Sequence, residues 1–403
     1  MTVIEQEIML AGGVRTPFGR FGGALKDTSA LELAELVVKE TLARAGVPPT
    51  EVDGVILGNV IQDTPQGVYM AKHAGLRAGM PDRITGLVVN RLCGSGLQAI
   101  VSSAQAIALG DGSVYVAGGA EALSHVPYQL PGARYGMRLG EANGLVDPLS
   151  GHGTAFADAT TGMIMGSTAD KLAQLYGITR EQADSFAYRS HQSALRANRD
   201  GTFARDWVPV GDLLDHDEHP RDSSLDQLAS LRLLFSDDGV CTVGNSSGLN
   251  DGAAAVVVLS RKRAGELGVA PRGRIVSWAI TGCDPSLMGI GPVASTTAAL
   301  ERAGLTLDDL DVIEINEAFA AQVLAVGKEL GWDGERVNPN GGAVALGHPL
   351  GASGARLVVM LLSELEDANG RYGLATACIG GGQGIALIVE RLTSPGPDDR
   401  KPA

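Results

Sequence analysis

Several side chains that can attack a carbonyl or move a proton stand beside glycines or at the ends of apolar segments. They are Cys93, Asn316, His348 and Cys378. Cys93 lies between a predicted strand and a predicted helix and is followed by Gly-Ser-Gly. An isolated cysteine is most often a buried core residue. The N–H groups and the dipole at the start of a helix stabilise a thiolate, however, so this position favours a nucleophile as strongly as a core residue.

The other reactive side chains each allow a simpler structural interpretation. His348 is flanked by glycine and proline, and Cys378 precedes three glycines whose N–H groups can converge on an oxygen, as in an oxyanion hole. Asn316 and Glu317 end an apolar segment, where a polar pair can also cap a helix. Taken together, these residues at predicted strand ends indicate thiol chemistry with proton transfer. A metal site would normally show closely spaced ligand pairs, which this sequence lacks, so we expect no metal.

An internal repeat indicates which elements position these residues. Residues 42–59 and 300–317 align at an offset of 258. Each copy predicts a helix that ends at Ala-Gly, then a short loop and an apolar strand, because glycine after the last helical residue is a common stop signal. The identical pairs are Leu42/Leu300, Arg44/Arg302, Ala45/Ala303, Gly46/Gly304 and Asp53/Asp311. A repeat at this separation predicts two related α/β halves rather than a short-period solenoid.

The regions around the reactive residues follow nearly the same offset. Cys93 follows a predicted strand and begins a predicted helix, and His348 takes a similar place about 255 residues later. After each helix comes an apolar strand with a glycine-rich exit, at residues 114–120 and 374–379. We therefore expect the strand ends of the two halves to face one crevice, with the reactive side chains inside it.

The middle of the chain interrupts the repeated pattern. It holds prolines and turns, a predicted helix over 179–200 and an acidic loop, and the first half resumes with the apolar residues 252–258. An insertion at the strand ends of an α/β fold is a place where a substrate site is built. We therefore expect an N-terminal half over 1–120 plus 246–270, an inserted loop domain over 121–245 and a C-terminal half over 271–403.

The composition excludes several classes of protein. The 403 residues include 55 glycines without a Gly-X-Y period, and 44% are hydrophobic, which argues against collagen and against disorder. No apolar run approaches the roughly 18 residues of a membrane-spanning helix. The 32 Lys and Arg against 46 Asp and Glu give a net charge of −14. That charge argues against general nucleic-acid binding but allows one anionic ligand.

Cysteine spacing and the N-terminal sequence indicate a reducing compartment. The four cysteines lie far apart with no Cys-x-x-Cys, which fits neither a disulfide framework nor a zinc ribbon. The segment MTVIEQEIML has acidic residues and no basic region before an apolar stretch. It is typical neither of a secretory signal nor of a transit peptide. We expect a cytoplasmic protein.

Five sequence blocks give a specific family resemblance along essentially the whole chain. They are VNRLCGSGLQAI (89–100), GNSSGLNDGAAA (244–255), INEAFAAQ (315–322), NPNGGAVALGHPLGASGAR (338–356) and CIGGGQG (378–384). In this order and spacing they resemble the thiolase family. The resemblance implies a five-layered αβαβα fold with an inserted loop domain, a homodimer or homotetramer, CoA and acyl-CoA as substrates, and no bound cofactor. The implied reaction is CoA-dependent cleavage of 3-ketoacyl-CoA, or the reverse Claisen condensation, with ping-pong kinetics.

The resemblance also implies a role for each reactive residue. Cys93 resembles the nucleophile that takes the acyl group as a thioester, His348 the base that activates it, and Cys378 the second acid and base. Asn316, through a water, and His348 would form one oxyanion hole. The backbone N–H groups of Cys93 and Gly380 would form the other. Two holes suit a reaction that develops negative charge on two carbonyls.

Positions outside this set bear on the substrate. Short-chain biosynthetic thiolases typically carry His-Met-Gly-x-Thr where this chain has Ile164, Met165 and Gly-Ser-Thr. Ile164 in place of histidine predicts an apolar acyl channel for longer 3-ketoacyl-CoAs, unless the side chain simply packs. Met288 resembles the family residue near the acetyl methyl group. Ser247 resembles a pantetheine contact and Arg221 an adenine contact.

Other functions of the same fold fit the residues less well. A ketosynthase uses one cysteine with two histidines, or with histidine and asparagine, whereas Cys378 takes the second acid/base position here. A hydroxymethylglutaryl synthase would be expected to use a glutamate as the base. A non-catalytic scaffold would not need all four reactive positions. We expect a degradative enzyme of fatty-acid or related acyl-CoA breakdown, with a short-chain biosynthetic acetoacetyl-CoA thiolase as the alternative.

Overall fold

The computed structural model describes residues 6–138, 144–150 and 156–392. Within them the chain forms ten strands and eleven α-helices. The strands are β1 (Ile8–Arg15), β2 (Gly19–Arg20), β3 (Gly54–Gly58), β4 (Thr85–Val89), β5 (Val114–Ala122), β6 (Asn250–Ser260), β7 (Gly273–Gly282), β8 (Val312–Ile315), β9 (Tyr372–Ile379) and β10 (Gln383–Arg391). The helices are α1 (Ala30–Ala45), α2 (Met70–Arg77), α3 (Ser95–Leu109), α4 (Met165–Tyr176), α5 (Arg180–Arg199), α6 (Leu225–Ala229), α7 (Arg261–Leu267), α8 (Gly291–Ala303), α9 (Ala320–Leu330), α10 (Ala343–Leu346) and α11 (Leu350–Asp367).

The strands divide into two half-sheets at a short junction. Their order is β4-β3-β5-β6-β1-β7-β10-β9-β8, with β2 paired to β6. At the junction, β1 and β7 share two register pairs, Met9 with Arg274 and Leu10 with Gly273. In each half the outer strands pair in parallel and the strands nearer the junction pair antiparallel. The predicted division into two related α/β halves is confirmed.

The helices form three layers around the half-sheets. α3 and α11 pack against each other and against both half-sheets, so they form the middle layer. α1 and α2 cover the outer face of the first half-sheet, and α8 and α9 belong to the core on the outer face of the second. This αβαβα arrangement confirms the predicted fold class.

The two middle helices cross with their backbones in contact. A Cβ atom on Gly96 would lie 2.5 Å from a backbone nitrogen of α11, and one on Gly354 would overlap the backbone of α3. Residues 96 and 354 are related by the offset of 258 that relates the repeated segments. The crossing therefore lies on the pseudo-symmetry axis, and it brings together the helix starts beside Cys93 and His348.

The repeated glycines and aspartates have the same structural roles in both halves. α1 and α8 end at Gly46 and Gly304, which have φ angles of 66° and 67° in the left-handed region. Asp53 accepts hydrogen bonds from two N–H groups at the start of β5, at 2.7 and 3.0 Å. Asp311 accepts two from the start of β9, at 2.6 and 3.0 Å. The identical aspartates thus join each repeat strand to its parallel neighbour.

The halves differ just before the two reactive helix starts. β4 precedes Cys93, but the short helix α10 precedes His348. The buried Glu317 carboxylate explains this difference, because it accepts hydrogen bonds from the N–H of Val344 at 3.1 Å and from the Ser190 hydroxyl at 2.7 Å. These bonds hold the first turn of α10 against α5. The prediction that His348 follows a strand is wrong, since it lies between two helices.

The segment between β5 and β6 spans residues 123–249 and contains α4, α5 and α6. Helix α5 confirms the helix predicted over 179–200. The segment is tied to β1 by a fully buried ion pair, in which both terminal nitrogens of Arg15 lie 2.8 Å from the Asp217 carboxylate oxygens. The turns predicted around 127–153 lie partly outside the described residues.

One helix in the described part of the chain is apolar enough to cross a membrane by composition and length alone. It covers Leu92–Leu109 and so corresponds to α3 of the middle layer. Packing between the two half-sheets accounts for its apolar character, as in core helices generally.

Candidate active site

Cys93 lies in a tight turn between β4 and α3. Leu92, just before it, has a φ of 47°, in the left-handed region that leucine rarely adopts. Two hydrogen bonds hold the turn: the Ser95 hydroxyl donates to the Leu92 carbonyl at 2.7 Å and accepts from the Arg91 N–H at 2.8 Å. Strained backbone of this kind clusters at functional sites and places the thiol at a fixed point.

The surroundings of Cys93 keep its thiol protonated at neutral pH. Burial raises the pKa of the thiol to about 11. The backbone N–H groups of Gly380 and of Cys93 itself lower the pKa, and the charge of Glu121 raises it. Cys93 therefore needs a base before it can attack. The two N–H groups that act on its sulfur are the pair predicted to form an oxyanion hole.

His348 is buried and is held at both ring nitrogens. Nδ1 lies 2.6 Å from the Ser353 hydroxyl, and Nε2 lies 3.3 Å from the side-chain nitrogen of Asn316. Burial lowers the pKa of His348 to about 3, and the positive charge of Arg356 acts in the same direction. The imidazole is therefore neutral at pH 7, which is the form that can accept a proton.

Asn316 directly follows β8 and is fully buried. Its backbone N–H donates to the Thr376 carbonyl of β9 at 2.9 Å, which fixes the side chain near the imidazole of His348. The Oδ1 atom of Asn316 has no protein partner. Its neighbour Glu317, rather than Asn316, binds the helix start, so the helix-cap interpretation of this pair applies only to Glu317.

Cys378 is the penultimate residue of β9 and pairs with Gly384 of β10. Burial raises the pKa of this thiol well above its usual range, and the charges of Cys93 and Cys283 raise it further. The two reactive thiols therefore lie within electrostatic reach of each other. A neutral thiol at this position can donate a proton to a carbanion that forms beside Cys93.

A largely apolar cavity of about 150 Å³ opens beside Cys93. Met165, the first residue of α4, lies in its wall. Ile164 forms a backbone bridge with Ala157 and is not among the residues that line the cavity. The cavity thus connects the nucleophile to the inserted segment. Its lining residues are Leu92, Cys93, Phe156, Ala157, Asp158, Ala159, Met165, Leu350, Gly380 and Gly381.

The remaining predicted substrate contacts lie away from this cavity. Met288 is buried in the turn that follows β7. Ser247 donates its backbone N–H to the Ala318 carbonyl at 3.0 Å. Arg221 donates from Nη2 to the Val243 carbonyl at 3.0 Å. Arg221 and Ser247 thus lie on or against one loop, while Met288 lies on another.

Two further residues, not singled out in the sequence, hold the backbone around His348. The fully buried Glu121 accepts hydrogen bonds from the N–H groups of Gly351 at 2.7 Å and Ile61 at 2.8 Å, and burial raises its pKa to about 7. The Asn250 side-chain oxygen accepts from the N–H of His348 at 3.1 Å. The sequence offered one sign of each residue. Glu121 is an acidic residue at the exit of an apolar strand, and Asn250 lies within one of the five blocks.

The five predicted catalytic residues lie at the ends of β4, β8 and β9 and just before α11. Asn316 contacts His348, and Gly380 and Cys93 share the cavity wall. A negative charge on Cys93 raises the pKa of Cys378. Among the described residues, no group of three His, Cys, Asp or Glu side chains is arranged to hold a metal ion.

Two protein-family models match this chain in sequence. Residues 8–262 match the model described as thiolase, N-terminal domain, and residues 269–391 match thiolase, C-terminal domain. The gap between the two matches, residues 263–268, covers most of α7 and lies just before β7, the first strand of the second half-sheet.

Known proteins match over nearly the full length of the chain. Beta-ketothiolase BktB of Cupriavidus necator is 50% identical, over 96% of this chain and 100% of the relative. An acetyl-CoA acetyltransferase of Syntrophomonas wolfei is 46% identical, over 96% and 100%. The crystal structure of human mitochondrial 3-ketoacyl-CoA thiolase in complex with CoA superposes with a TM-score of 0.93 at 42% identity, over 96% of this chain and 98% of that one.

Proposed function

The chain belongs to the thiolase family and is an acyltransferase with thiolase activity, and we propose that it transfers the acyl group through a thioester on Cys93. The observation that carries this proposal is the neutral Cys93 thiol, which lies beside an apolar cavity with two backbone N–H groups acting on its sulfur. A neutral, buried imidazole and a second neutral thiol supply the proton transfers that the reaction needs.

In the cleavage direction, His348 takes the proton of Cys93 and the sulfur attacks the 3-keto carbon. The N–H groups of Cys93 and Gly380 stabilise the negative oxygen of the tetrahedral intermediate. The bond between carbons 2 and 3 then breaks, and Cys378 donates its proton to carbon 2, which releases acetyl-CoA. The Cys378 thiolate then takes the proton of a CoA thiol, whose sulfur attacks the thioester. The shortened acyl-CoA leaves, and the released Cys93 sulfur regains its proton from His348. Condensation follows the same steps in reverse.

The second oxyanion, on the thioester oxygen of the leaving acetyl-CoA, needs its own donors. Asn316 and protonated His348 can supply them, since they contact each other at 3.3 Å at the end of β8. The unpartnered Oδ1 of the buried Asn316 supports a water at this position, because a buried amide oxygen is normally hydrogen-bonded. This arrangement keeps the two developing charges on separate donor sets.

We propose CoA itself as the ligand of the inserted segment, with no further bound cofactor. The human relative solved with CoA superposes over nearly the whole chain, which supports a CoA site in the same region. Ser247 is the proposed pantetheine contact, Arg221 the adenine contact and Met288 the neighbour of the acetyl methyl group. Burial lowers the pKa of Arg221, so its guanidinium is incompletely hydrated and suited to a polar ligand.

For the acyl group, we propose an apolar site in the cavity beside Cys93 and a preference for substrates longer than acetoacetyl-CoA. Cleavage of 3-ketooctanoyl-CoA leaves a six-carbon acyl group on the sulfur. An apolar cavity of about 150 Å³ is the size that holds benzene in an engineered protein core, which is also six carbons. Ile164, where short-chain enzymes typically place histidine, does not line this cavity itself, but its neighbour Met165 and its backbone partner Ala157 do.

A substrate panel of 3-ketoacyl-CoAs from four to sixteen carbons tests this proposal. We expect kcat/KM for 3-ketooctanoyl-CoA to equal or exceed that for acetoacetyl-CoA. Ala157→Leu, which fills the cavity, should lower the value for the longer substrate about tenfold or more, since each buried methylene contributes tenfold or more to discrimination. Acetoacetyl-CoA turnover by the same variant is the internal control.

The blank in this panel is Cys93→Ala, which should cleave none of the substrates. Retained CoA-dependent cleavage in that variant would refute the nucleophile. A strong preference of the unmodified enzyme for acetoacetyl-CoA would instead favour the biosynthetic alternative, which the acetyl-CoA acetyltransferase relatives also support. The Cys93→Ala result therefore tests the thioester mechanism, and the substrate panel tests the chain-length preference independently of it.

We also propose that the chain forms a homodimer or a homotetramer, in the cytoplasm, and that it serves acyl-CoA breakdown. The four cysteines are free thiols, which supports a reducing compartment. Strand β4 ends the strand order and is mostly exposed, with Leu87 half exposed at its centre. An uncovered edge strand invites pairing with a second chain, so we place the interface with a second copy there.

A further inference from the structure

We propose that Ser353 sets the tautomer of His348, holding the proton on Nδ1 so that Nε2 stays free to take the proton of Cys93. Ser353 acts through the imidazole and is therefore a positioning residue. The inference rests on the proposed role of His348 as the base. It extends the logic of a nucleophile, a base and a third group that orients the base.

The argument starts from the single proton of the Ser353 hydroxyl. Its Oγ lies 2.9 Å from the carbonyl oxygen of Pro349 and 2.6 Å from Nδ1 of His348. A carbonyl oxygen can only accept, whereas Nδ1 can also donate, so both contacts are hydrogen bonds only when the hydroxyl donates its proton to Pro349. Toward His348 the same oxygen is then an acceptor, and Nδ1 must carry the hydrogen.

The other ring nitrogen fits this assignment. A neutral imidazole has one N–H, so a hydrogen on Nδ1 leaves a lone pair on Nε2. The side-chain nitrogen of Asn316 approaches Nε2 at 3.3 Å and can donate to that lone pair. Each neighbour of the ring therefore agrees with the same tautomer, in which Nε2 is the basic atom.

Burial makes the serine hard to replace by solvent. Ser353 is fully buried in α11 and His348 is 5% exposed. The main chain of His348 is held separately by Asn250, so loss of the serine hydroxyl removes the partner of Nδ1 without releasing the loop. The ring would then be free to carry its hydrogen on Nε2, where it cannot accept a proton.

The equivalent serine of the other half supports the assignment. Ser95 is related to Ser353 by the offset of 258, and its hydroxyl likewise donates to a backbone carbonyl, that of Leu92, at 2.7 Å. Its acceptor position binds the N–H of Arg91 at 2.8 Å. The same hydroxyl thus stabilises the turn of the nucleophile in one half and orients the base in the other.

The test compares Ser353→Ala with a matched control and a conservative variant in the full-length protein. The control is Ser103→Ala, because the Ser103 hydroxyl is also fully buried and donates to a carbonyl four residues earlier, at 3.0 Å, in the paired helix α3. Ser353→Thr keeps the hydroxyl. Thermal melting of each variant checks folding, and ring-¹⁵N histidine spectra report the tautomer. His348→Asn identifies the signals of His348.

We expect the unmodified protein and Ser103→Ala to show Nδ1–H at pH 7.5. Ser353→Ala should lose this pattern, and its kcat should fall by roughly 10²-fold or more, the size of a general-base or tautomer defect. Ser353→Thr should restore both. The KM values should change far less than kcat, because the serine does not touch the substrate.

Three results separate the possible failures. If Ser353→Ala keeps the Nδ1–H pattern, the inference is overturned whatever its activity. If the unmodified protein carries the hydrogen on Nε2, the inference is overturned as well. If the tautomer changes in Ser353→Ala while that variant and His348→Asn both keep their kcat, the tautomer assignment stands and the role of His348 as the base fails instead.

Discussion

At the scale of single residues, the reactive side chains of the site are neutral before the substrate reacts. Burial raises the pKa of Cys93 and lowers that of His348, so the two do not form a resting thiolate–imidazolium pair. Negative charge develops on the substrate carbonyl oxygen during the attack, and the backbone N–H groups of Cys93 and Gly380 can stabilise it there. This is the reverse of a cysteine enzyme with a strongly lowered thiol pKa.

A pH profile of thiol alkylation checks the neutral pair. Only the thiolate reacts, and the Cys93 pKa of about 11 lies above the usual value of about 8.5, so the thiolate fraction rises with pH throughout the neutral range. We expect the rate of Cys93 alkylation by iodoacetamide to increase about tenfold per pH unit from pH 7 to 9. Mass spectrometry distinguishes Cys93 from the partly exposed Cys283. A rate that is already constant below pH 7 would indicate a preformed ion pair.

The residue types that react were visible in the sequence, but their partners were not. Cys93, His348 and Cys378 stand beside glycines, which marks them locally. Glu121 binds the N–H of Gly351, which is distant in the chain. Ser353 binds the ring of His348, whose orientation depends on the fold. Hydrogen-bond partners of this kind depend on tertiary packing, so sequence spacing alone cannot identify them.

At the scale of secondary-structure elements, the crossing of α3 and α11 decides the site geometry. Gly96→Ala places a methyl group 2.5 Å from a backbone nitrogen of the other helix, which forces the helices apart. Overpacking of this kind costs about 1–3 kcal/mol of unfolding free energy. We expect Gly96→Ala to lower both the thermal midpoint and kcat, since the helix starts beside Cys93 and His348 move with the crossing.

Gly265→Ala is the matched control for this substitution. Gly265 lies inside α7, and a Cβ atom there would meet nothing within 4 Å. Alanine should leave kcat unchanged and stabilise the fold by about 0.4–1 kcal/mol, because it restricts the unfolded chain. Equal effects of the two substitutions, measured by denaturant unfolding and steady-state kinetics, would contradict the role of the crossing.

Elements with a regular pattern were predictable, and the exception has a physical cause. The repeat strands and their stop glycines form as expected, because Gly46 and Gly304 provide the same left-handed turn. The segment before His348 is apolar like a strand, yet it folds as α10, whose first turn is held by a hydrogen bond from the Val344 N–H to the Glu317 carboxylate. A tertiary hydrogen bond thus overrides the local pattern.

At the scale of the whole molecule, the exposed edge strand β4 predicts the assembly. Leu87→Lys adds a charge at the centre of this edge, which disfavours strand pairing between chains. We expect light scattering after size exclusion to show a homodimer or homotetramer for the unmodified chain, and a smaller species for Leu87→Lys at micromolar concentration.

Leu109→Lys is the control for this prediction. Leu109 is 80% exposed at the C-terminus of α3, where a lysine is compatible with the helix dipole. This variant should keep the mass of the unmodified chain. A monomeric unmodified chain, or an assembly that Leu87→Lys leaves intact, would contradict the interface at β4.

The contact of Gly96 with Gly354 also has a consequence for how the enzyme loses activity. The proposed nucleophile belongs to one half and the proposed base to the other, and the helices that begin beside them touch at these glycines. Each half has its own outer core, so the junction can loosen while both cores remain closed. A small separation of the halves then stops proton transfer before any strand or helix is lost. Inactivation and unfolding are therefore two separate events in this fold. On heating, the enzyme should lose activity at a lower temperature than the one at which it unfolds.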